Sequence, residues 1–364
     1  MWTGRLTSAA RPGAALGLVL AAAAAHWSGR AASVPAAFDP AEVVALIRRH
    51  RIATLTLTKA AGLPAALTEA IAAASAGQIR RAALLALECA RVAHHLTGSG
   101  QDFLVVKGAP LSVQLYGSAS LRLSRDIDLV VPSGQTEAST QHLQRLGYAA
   151  IGRDHNALIL GHAGTGARLE LHESRSPDDF RHGCSVDVLG IAVPTLPVDR
   201  AILHAACHGS GHLWSELAWI ADMAAAMAAP LDWDRITDLA RGKGLRRPLA
   251  LGCLLASELL EVEIPPPLRP LTDALPASVI AGIAHVTASP AASEREVLAQ
   301  RGAVGMVLWE MSLYERPARK LALLIRHGHP SATDKALVTL PAALSFLYVP
   351  LRLARIAWAW IARR

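Results

Sequence analysis

Three kinds of feature are scarce in this chain of 364 residues. Its four cysteines are widely spaced and form no CxxC pair, which argues against a zinc ribbon and a disulfide framework. Aromatic residues make up only 4% of the sequence, so base stacking has little support and nucleic acid is a disfavoured, though open, partner. Walker A, GxSxG and GxGxxG sequences are absent, which argues against P-loop kinases, α/β-hydrolases and dinucleotide-binding enzymes.

Long uninterrupted apolar runs are also lacking. The C-terminal stretch approaches the length of a membrane span, which needs about 20 mostly apolar residues, but Pro341, Pro350 and two arginines interrupt it. We therefore expect a tail helix within 336–364 that either docks on the protein or lies at a membrane surface. The residues that would make peripheral membrane contact are Arg352, Arg355, Trp358, Trp360, Arg363 and Arg364.

The N-terminal segment, 1–38, carries two arginines followed by an apolar, alanine-rich run. This pattern is typical of a signal peptide, but an alanine-rich helix or a start codon assigned too early produces the same pattern. The unpaired cysteines fit a reducing cytoplasm. We expect a cytoplasmic protein whose tail provides a point of peripheral membrane contact.

The residues that are present predict a folded chain with a basic bias. Hydrophobic residues make up 52% of it and the formal charge is +7, which suits phosphate-bearing partners such as nucleotides, nucleic acid or anionic lipid. A β-α-β-α-β-β pattern lies between two regions with helical spacing. We therefore expect an α+β fold, with a small mixed β-sheet flanked by N- and C-terminal helical regions. The predicted segments are 1–38 (variable), 39–100 (helical), 101–197 (α/β core), 198–335 (helical domain) and 336–364 (tail).

Two aspartates stand at the start of a predicted strand, in LRLSRDIDLVV. Because side chains alternate along a strand, Asp126 and Asp128 share one face while Ile127 and Leu129 point into the core. Carboxylates this close repel each other, and a divalent cation removes the conflict. The pattern therefore indicates a metal site.

A third acid follows in ARLELHE, where the same alternation places Glu170 and His172 on one face. Glu170 joins the aspartates if its strand pairs beside theirs. Two metal ions held by three carboxylates are the standard arrangement for in-line phosphoryl or nucleotidyl displacement. His172 is predicted to orient the metal site or to contact the nucleotide.

A turn suited to phosphate precedes the aspartates. The stretch VVKGAP ends one predicted strand and opens a helix, so backbone N–H groups near Gly108 face outward where an anion can bind. Gly108 permits close approach of the backbone, and Lys107 adds a positive charge. Both residues are candidates for nucleotide binding.

The stretch VVKGAPLSVQLYGSASLRLSRDIDLVV resembles the core sequence of the uncharacterised nucleotidyltransferase family, a branch of the DNA polymerase β-like superfamily. The resemblance extends from about Ala41 to Pro267. It implies that Asp126 and Asp128 are catalytic metal ligands with Glu170 as the third acid, and that two Mg²⁺ ions are the cofactor.

One part of the pattern departs from the wider superfamily. Lys107-Gly108 stands where that superfamily usually has Gly-Ser. Arg122 matches the pattern of the branch, which leaves two roles open for it: contact with a phosphate of the nucleotide, or pairing with a carboxylate.

Three histidines are spaced four residues apart in HAACHGSGHLW. His204, His208 and His212 would lie along one helical stripe. Two of them at this spacing are able to hold zinc, but the HExxH motif is absent. We expect instead a polar face that supports the site or contacts the acceptor, with Asp222 on the same helix pairing one imidazole.

These features predict Mg²⁺-dependent transfer of a nucleoside monophosphate from a nucleoside triphosphate to an acceptor that the sequence does not identify. Two alternatives stay open. One is kinase-like transfer of the γ-phosphoryl group on the same scaffold. The other is a non-catalytic nucleotide-binding or membrane-associated accessory protein.

Overall fold

A computed structural model describes residues 12–58, 62–154, 157–174, 177–328, 338 and 340–361. The described chain is mostly helical, with a five-stranded mixed sheet and a separate hairpin, so the α+β prediction is confirmed. The strands are β1 (Leu104–Val105), β2 (Ile127–Pro132), β3 (Tyr148–Asp154), β4 (Ala157–His162), β5 (Arg168–Ser174), β6 (Cys184–Val188) and β7 (Ile191–Thr195).

Helices precede, interrupt and follow these strands. In the first half they are α1 (Ala14–Ser28), α2 (Pro40–His50), α3 (Ala53–Thr58), α4 (Ala65–Gly98), α5 (Gly108–Tyr116), α6 (Thr136–Arg145) and α7 (Pro177–Arg181). In the second half they are α8 (Val198–Gly211), α9 (Leu217–Ala228), α10 (Trp233–Lys243), α11 (Arg246–Leu260), α12 (Arg269–Asp273), α13 (Ala277–Ala281), α14 (His285–Ala288), α15 (Glu294–Leu313), α16 (Pro317–Gly328) and α17 (Tyr348–Ile361).

The sheet has the strand order β1-β2-β5-β4-β3. Strands β2 and β5 are parallel neighbours, and the other pairs are antiparallel. The two consecutive strands that end the predicted β-α-β-α-β-β pattern are β4 and β5, and they pair antiparallel. Strand β3 was not predicted from the sequence, and neither was the β6–β7 hairpin. The β2–β5 pairing is the part that matters for function, because it joins the aspartate strand to the strand that carries the third acid.

The sheet packs one apolar face against helices α4 and α6. Alternation along β2 buries Ile127, Leu129 and Val131 in this core, as period-two patterning requires. On the opposite face, Leu104 and Val106 pack against α5 and α8, and Ala157 and Ile159 of β4 are also buried. Between them lie the polar side chains of β2 and β5.

A second and larger core is built by helices from both ends of the chain. It combines α1, α2 and α3 with α8, α9, α11 and later helices. The 34-residue helix α4 serves both cores: Leu67 and Ile71 lie in the helical core, whereas Leu85 and Leu96 lie in the sheet core. One continuous helix therefore fixes the sheet relative to the helical part.

Helix α1 lies in the segment with the signal-peptide pattern. Nine of its residues are buried, and it packs against α2, α3 and α11. The described residues of this segment form an alanine-rich helix. The signal-peptide and start-codon interpretations stay predictions. Residues 1–11 lie outside the described part.

At the C-terminus, α17 packs against α15 and α16, with Tyr348 buried. Phe346 and Trp358 are 65% and 73% exposed, so the tail is docked yet still presents apolar surface. Arg363 and Arg364 lie outside the described residues. Among those described, no single helix is both long and apolar enough to cross a membrane, although one pair bent by 91° (Pro266–Asp273 with Ala277–Ala288) jointly passes that test of length and composition.

Candidate active site

The parallel pairing of β2 with β5 places Asp128 directly opposite Glu170. His172 Nε2 lies 3.6 Å from Asp128 Oδ1 and 3.8 Å from Glu170 Oε2. Each of these three side chains offers one ligand atom, and the three atoms lie within 4.8 Å of one another. The strand of Glu170 therefore lies beside the strand of the aspartates, as the predicted three-acid cluster requires.

Lys107 closes this cluster from the end of β1. Its Nζ lies 3.1 Å from Asp128 Oδ1 and donates to His208 Nδ1 at 3.4 Å. Burial acts to raise the pKa of Asp128, but Lys107 and a hydrogen bond from His172 outweigh it, so the pKa lies well below the ordinary 3.8. Asp128 is therefore ionised and held by a cation, although it is 6% exposed.

The turn after β1 has the backbone geometry that the sequence predicts for close approach. Gly108 has φ +65°, in the left-handed region that favours glycine. A Cβ there would lie 3.8 Å from both the Asp126 carbonyl oxygen and Ser124 Oγ, so space alone would admit it and the backbone angle is what selects glycine. Helix α5 follows at once and ends at Gly117, also in the left-handed region.

Asp126 precedes β2 and is not one of the three residues in the metal-ligating group. The charges of that group nevertheless act on Asp126. Burial and the carboxylates of Asp128 and Glu170 raise the pKa of Asp126 above 3.8, against the opposing effect of Lys107 and Arg51. Three carboxyl groups thus crowd one position. A bound cation would relieve their repulsion.

Because these carboxylates repel each other, we expect the removal of one charge to stabilise the metal-free protein. Replacing Asp126 by asparagine should raise the free energy of unfolding of the metal-free protein by about 1 kcal/mol at neutral pH, as removal of functional strain commonly does. Because the pKa is raised in the folded state, the folded protein loses stability as the pH rises above 3.8 and Asp126 ionises. In urea denaturation, the free energy of unfolding of Asp126→Asn should therefore exceed that of the wild type increasingly as the pH is raised. Equal stabilities at every pH would contradict the crowding.

Arg122 adopts the second of its two predicted roles. Its Nε lies 2.9 Å from Asp222 Oδ2, and its Nη1 donates to Ser124 Oγ at 3.0 Å. Tyr116 donates to Asp222 Oδ1 at 3.1 Å. Burial alone would lower the pKa of Arg122, but Asp222 reverses the effect and raises it. Arg122 thus pairs with a carboxylate, and its contact with a phosphate stays a prediction.

The three histidines divide between two environments. His204 and His208 lie on α8, and burial with nearby Lys107 lowers the pKa of His204 to about 4 and that of His208 well below 6.5. Both imidazoles are therefore neutral, which fits His208 as an acceptor for Lys107. His212 lies just past the end of α8 and pairs with Glu294. Its ring lies 4.4 Å from that of His208.

The expectation that Asp222 shares this helix and pairs an imidazole is wrong. Asp222 lies on α9, because the chain turns between the helices with Leu213 and Trp214 at positive φ. Trp214 packs so closely on α8 that a Cβ at Gly209 would lie 2.5 Å from its ring. This packing fixes the turn between α8 and α9, and α9 then places Asp222 next to Arg122.

The structure also brings to the site residues that the sequence did not single out. Glu216 is 2% exposed and accepts hydrogen bonds from Arg51 and Arg125. The run IRRHR supplied a signal for this cluster, since three arginines in four residues are unusual on a helix that packs into a core. Glu216, the partner of Arg51, is however 165 residues away in the chain.

The donor set fits a divalent cation. Carboxylates are the ligands that Mg²⁺ and Mn²⁺ prefer, whereas the imidazole of His172 suits a softer ion such as Zn²⁺ or Fe²⁺. Asp128, Glu170 and His172 would hold one ion, with Asp126 adjacent. The second ion predicted from the sequence stays a prediction.

Comparison with known proteins identifies the family of the chain. A family model described as an uncharacterised nucleotidyltransferase matches residues 36–261. The match contains every site residue discussed above except Glu294. No curated protein matches the chain.

Proposed function

Since this chain belongs to the uncharacterised nucleotidyltransferase family, we propose that it transfers a nucleoside monophosphate from a nucleoside triphosphate to an acceptor. The observation that carries the proposal is the cluster of Asp128, Glu170 and His172 beside Lys107 and the Gly108 turn. A negatively charged ligand cluster next to a cation and a helix start suits a metal-bound triphosphate.

The proposed roles divide between metal and phosphate binding. Asp128, Glu170 and His172 would hold Mg²⁺, with Asp126 beside them, and the ion when bound neutralises the charge of the triphosphate. Lys107 and the backbone of Gly108 would contact its phosphates. His208 would keep Lys107 in place as its hydrogen-bond acceptor, with the neutral His204 on the same helix. Most of the acceleration would come from positioning and charge neutralisation.

The bond changes are those of in-line displacement. An acceptor hydroxyl loses its proton, and its oxygen forms a bond to the α-phosphorus. The bond from that phosphorus to the bridging oxygen breaks, and pyrophosphate leaves with the electron pair. Asp126 is the residue best placed to take the proton, because it lies beside the three metal-ligating side chains without being one of them.

The experiment is an assay with nucleoside triphosphates labelled at either the α- or the γ-phosphorus, incubated with Mg²⁺ and a metabolite extract. Transfer of the α-label with release of pyrophosphate supports the proposal. Transfer of the γ-label would instead support the kinase-like alternative. Absence of both, together with intact cellular function of Asp128→Asn, would favour the accessory-protein alternative.

The C-terminal helices favour peripheral membrane contact as a second property of a cytoplasmic protein. Exposed apolar side chains cluster on α16 and on the segment that includes α17, and arginines lie on the same two helices. Apolar groups beside basic ones are typical of helices at anionic membrane surfaces. The exposed apolar residues are Leu321, Leu324, Ile325, Leu344, Phe346, Leu347, Val349, Leu351 and Trp358.

A double substitution tests this proposal. Phe346→Ser with Trp358→Ser should reduce binding to phosphatidylserine-containing vesicles about tenfold or more, because burial of each ring in lipid contributes on the order of 1.5–3 kcal/mol. The measurement is vesicle co-sedimentation. Leu87→Ser is the matched control, since Leu87 is 58% exposed but lies on α4. Equal binding by the double variant and the control would contradict the proposal.

A further inference from the structure

A large cavity lies beside the candidate active site, among α2, α4 and the start of α15. Its volume is about 760 Å³, and Leu123, Ser124 and Arg125 form part of its wall. Six arginines line it, against two glutamates. The arginines are Arg48, Arg49, Arg51, Arg81, Arg125 and Arg295.

Three of these arginines are held by one buried carboxylate. Glu216 accepts from Arg51 Nε at 2.6 Å and from Arg125 Nη2 at 2.5 Å, and Arg49 Nη1 lies 3.7 Å from it. Arg51 and Arg49 also donate to backbone carbonyls of Leu123 and Ala292. The single negative charge of Glu216 thus holds three arginines in position, and this wall of the cavity keeps a net positive charge.

The other three arginines are available to a ligand. Within the part of the chain that the structure describes, the side chains of Arg48, Arg81 and Arg295 make no ion pair or hydrogen bond. The second glutamate of the cavity, Glu294, is paired with His212. Arginine guanidinium groups match phosphate oxygens in bidentate geometry, and a cleft lined by one sign of charge concentrates ligands of the opposite sign.

Contacts connect the cavity with the metal-ligating cluster. Asp128 contacts Lys107, Lys107 contacts His208, the His208 ring lies against that of His212, and His212 pairs with Glu294 on the cavity wall. The wall also ends at Arg125, the neighbour of Asp126, and consecutive Cα atoms are about 3.8 Å apart. The cavity wall is therefore joined to the metal-ligating cluster in two ways: through this series of contacts and through the Arg125–Asp126 peptide.

We propose that this arginine-lined cavity binds the acceptor, and that the acceptor is a phosphate-bearing molecule. This rests on the proposed function, because it assigns the second substrate of the same reaction. The triphosphate has its own binding groups in Lys107, the Gly108 turn and the carboxylate-bound metal. A second, separately charged cavity suits a second substrate that is also an anion.

The test uses inorganic pyrophosphate as the probe, in EDTA to exclude metal-dependent binding, with calorimetry on the full chain. The double variant Arg48→Gln/Arg295→Gln should bind pyrophosphate about tenfold or more weakly than the wild type, since it loses two charge-assisted contacts. Both residues are exposed and unpaired, so folding should be unaffected. Arg80→Gln is the matched control, because Arg80 is exposed on α4 but does not line the cavity.

A second titration distinguishes the acceptor from the nucleotide. The affinity for Mg²⁺ with an α,β-methylene nucleoside triphosphate should be unchanged in Arg48→Gln/Arg295→Gln and reduced in Asp128→Asn. If the arginine variant also loses this ligand, the cavity holds the nucleotide's own phosphates and the inference is overturned. Wild-type pyrophosphate affinity in the arginine variant overturns it as well. Failure of the proposed function alone would leave pyrophosphate binding intact, including in Asp128→Asn.

Discussion

Asp128→Asn is expected to lower the rate of nucleotidyl transfer on the order of 10³-fold, the largest effect on activity of any substitution considered. Asp128 is the carboxylate that contacts both Lys107 and His172, and its depressed pKa keeps it ionised throughout the working pH range. Asparagine retains the shape but not the charge. Loss of metal-ion charge stabilisation is worth several kcal/mol, and each 1.36 kcal/mol is a factor of ten in rate.

The measurement is release of pyrophosphate under single-turnover conditions, with α-labelled triphosphate as the second readout. Asp187→Asn is the matched control: Asp187 is exposed on the β6–β7 hairpin and accepts a hydrogen bond from the Gly190 amide, which asparagine also accepts. Full activity in Asp128→Asn would rule out catalysis through this cluster. A drop in both variants would indicate a general loss of folded protein.

Asp222→Asn is expected to cause the largest loss of stability, about 3–5 kcal/mol. Asp222 is 2% exposed, and its charge is the partner of Arg122, whose side chain is 8% exposed. Removing one member of a buried pair leaves the other charge uncompensated in a low-dielectric environment. The urea midpoint should fall accordingly, and Tm by roughly 4–7 °C. Because Arg122 anchors the segment that leads to Asp126, activity should fall with stability.

A double-mutant cycle separates the pair from its parts. Arg122→Met combined with Asp222→Leu should recover much of the stability, since it removes both charges together. Tyr116→Phe removes only one hydrogen bond and should cost about 1 kcal/mol. If Asp222→Asn is no less stable than Tyr116→Phe, the Arg122 pair contributes little and the anchoring role is wrong.

Much of the sheet and its acids was predictable because it is encoded locally. The alternation in DIDLVV and LELHE specifies which side chains leave the core face, and the left-handed glycines at Gly108 and Gly117 mark both ends of α5. Strand β3 and the β6–β7 hairpin were not predicted. Strand β3 contains Gly152 and an irregularity in its pairing with β4, so its sequence lacks the regular period that would have indicated it.

The contacts made by the charged residues were not predictable. Sequence order placed Asp222 after the histidines, but whether α8 continues through it depends on how Trp214 packs on Gly209 and Gly252. Likewise, nothing near Arg51 in the chain indicates that its partner is Glu216. A charge selects its partner by proximity in space, and proximity is decided by the packing of other residues.

By itself, the sequence determined the fold class, the strand that carries Asp126 and Asp128, and the face on which Glu170 lies, because period-two alternation and glycine backbone angles are properties of short segments. The tertiary structure alone decided that Glu170 stands opposite Asp128, that Arg122 is taken up by Asp222, and that six arginines from four segments enclose one cavity. Each of these is a contact between segments that are distant in the sequence, and only burial of the two apolar cores brings such segments together.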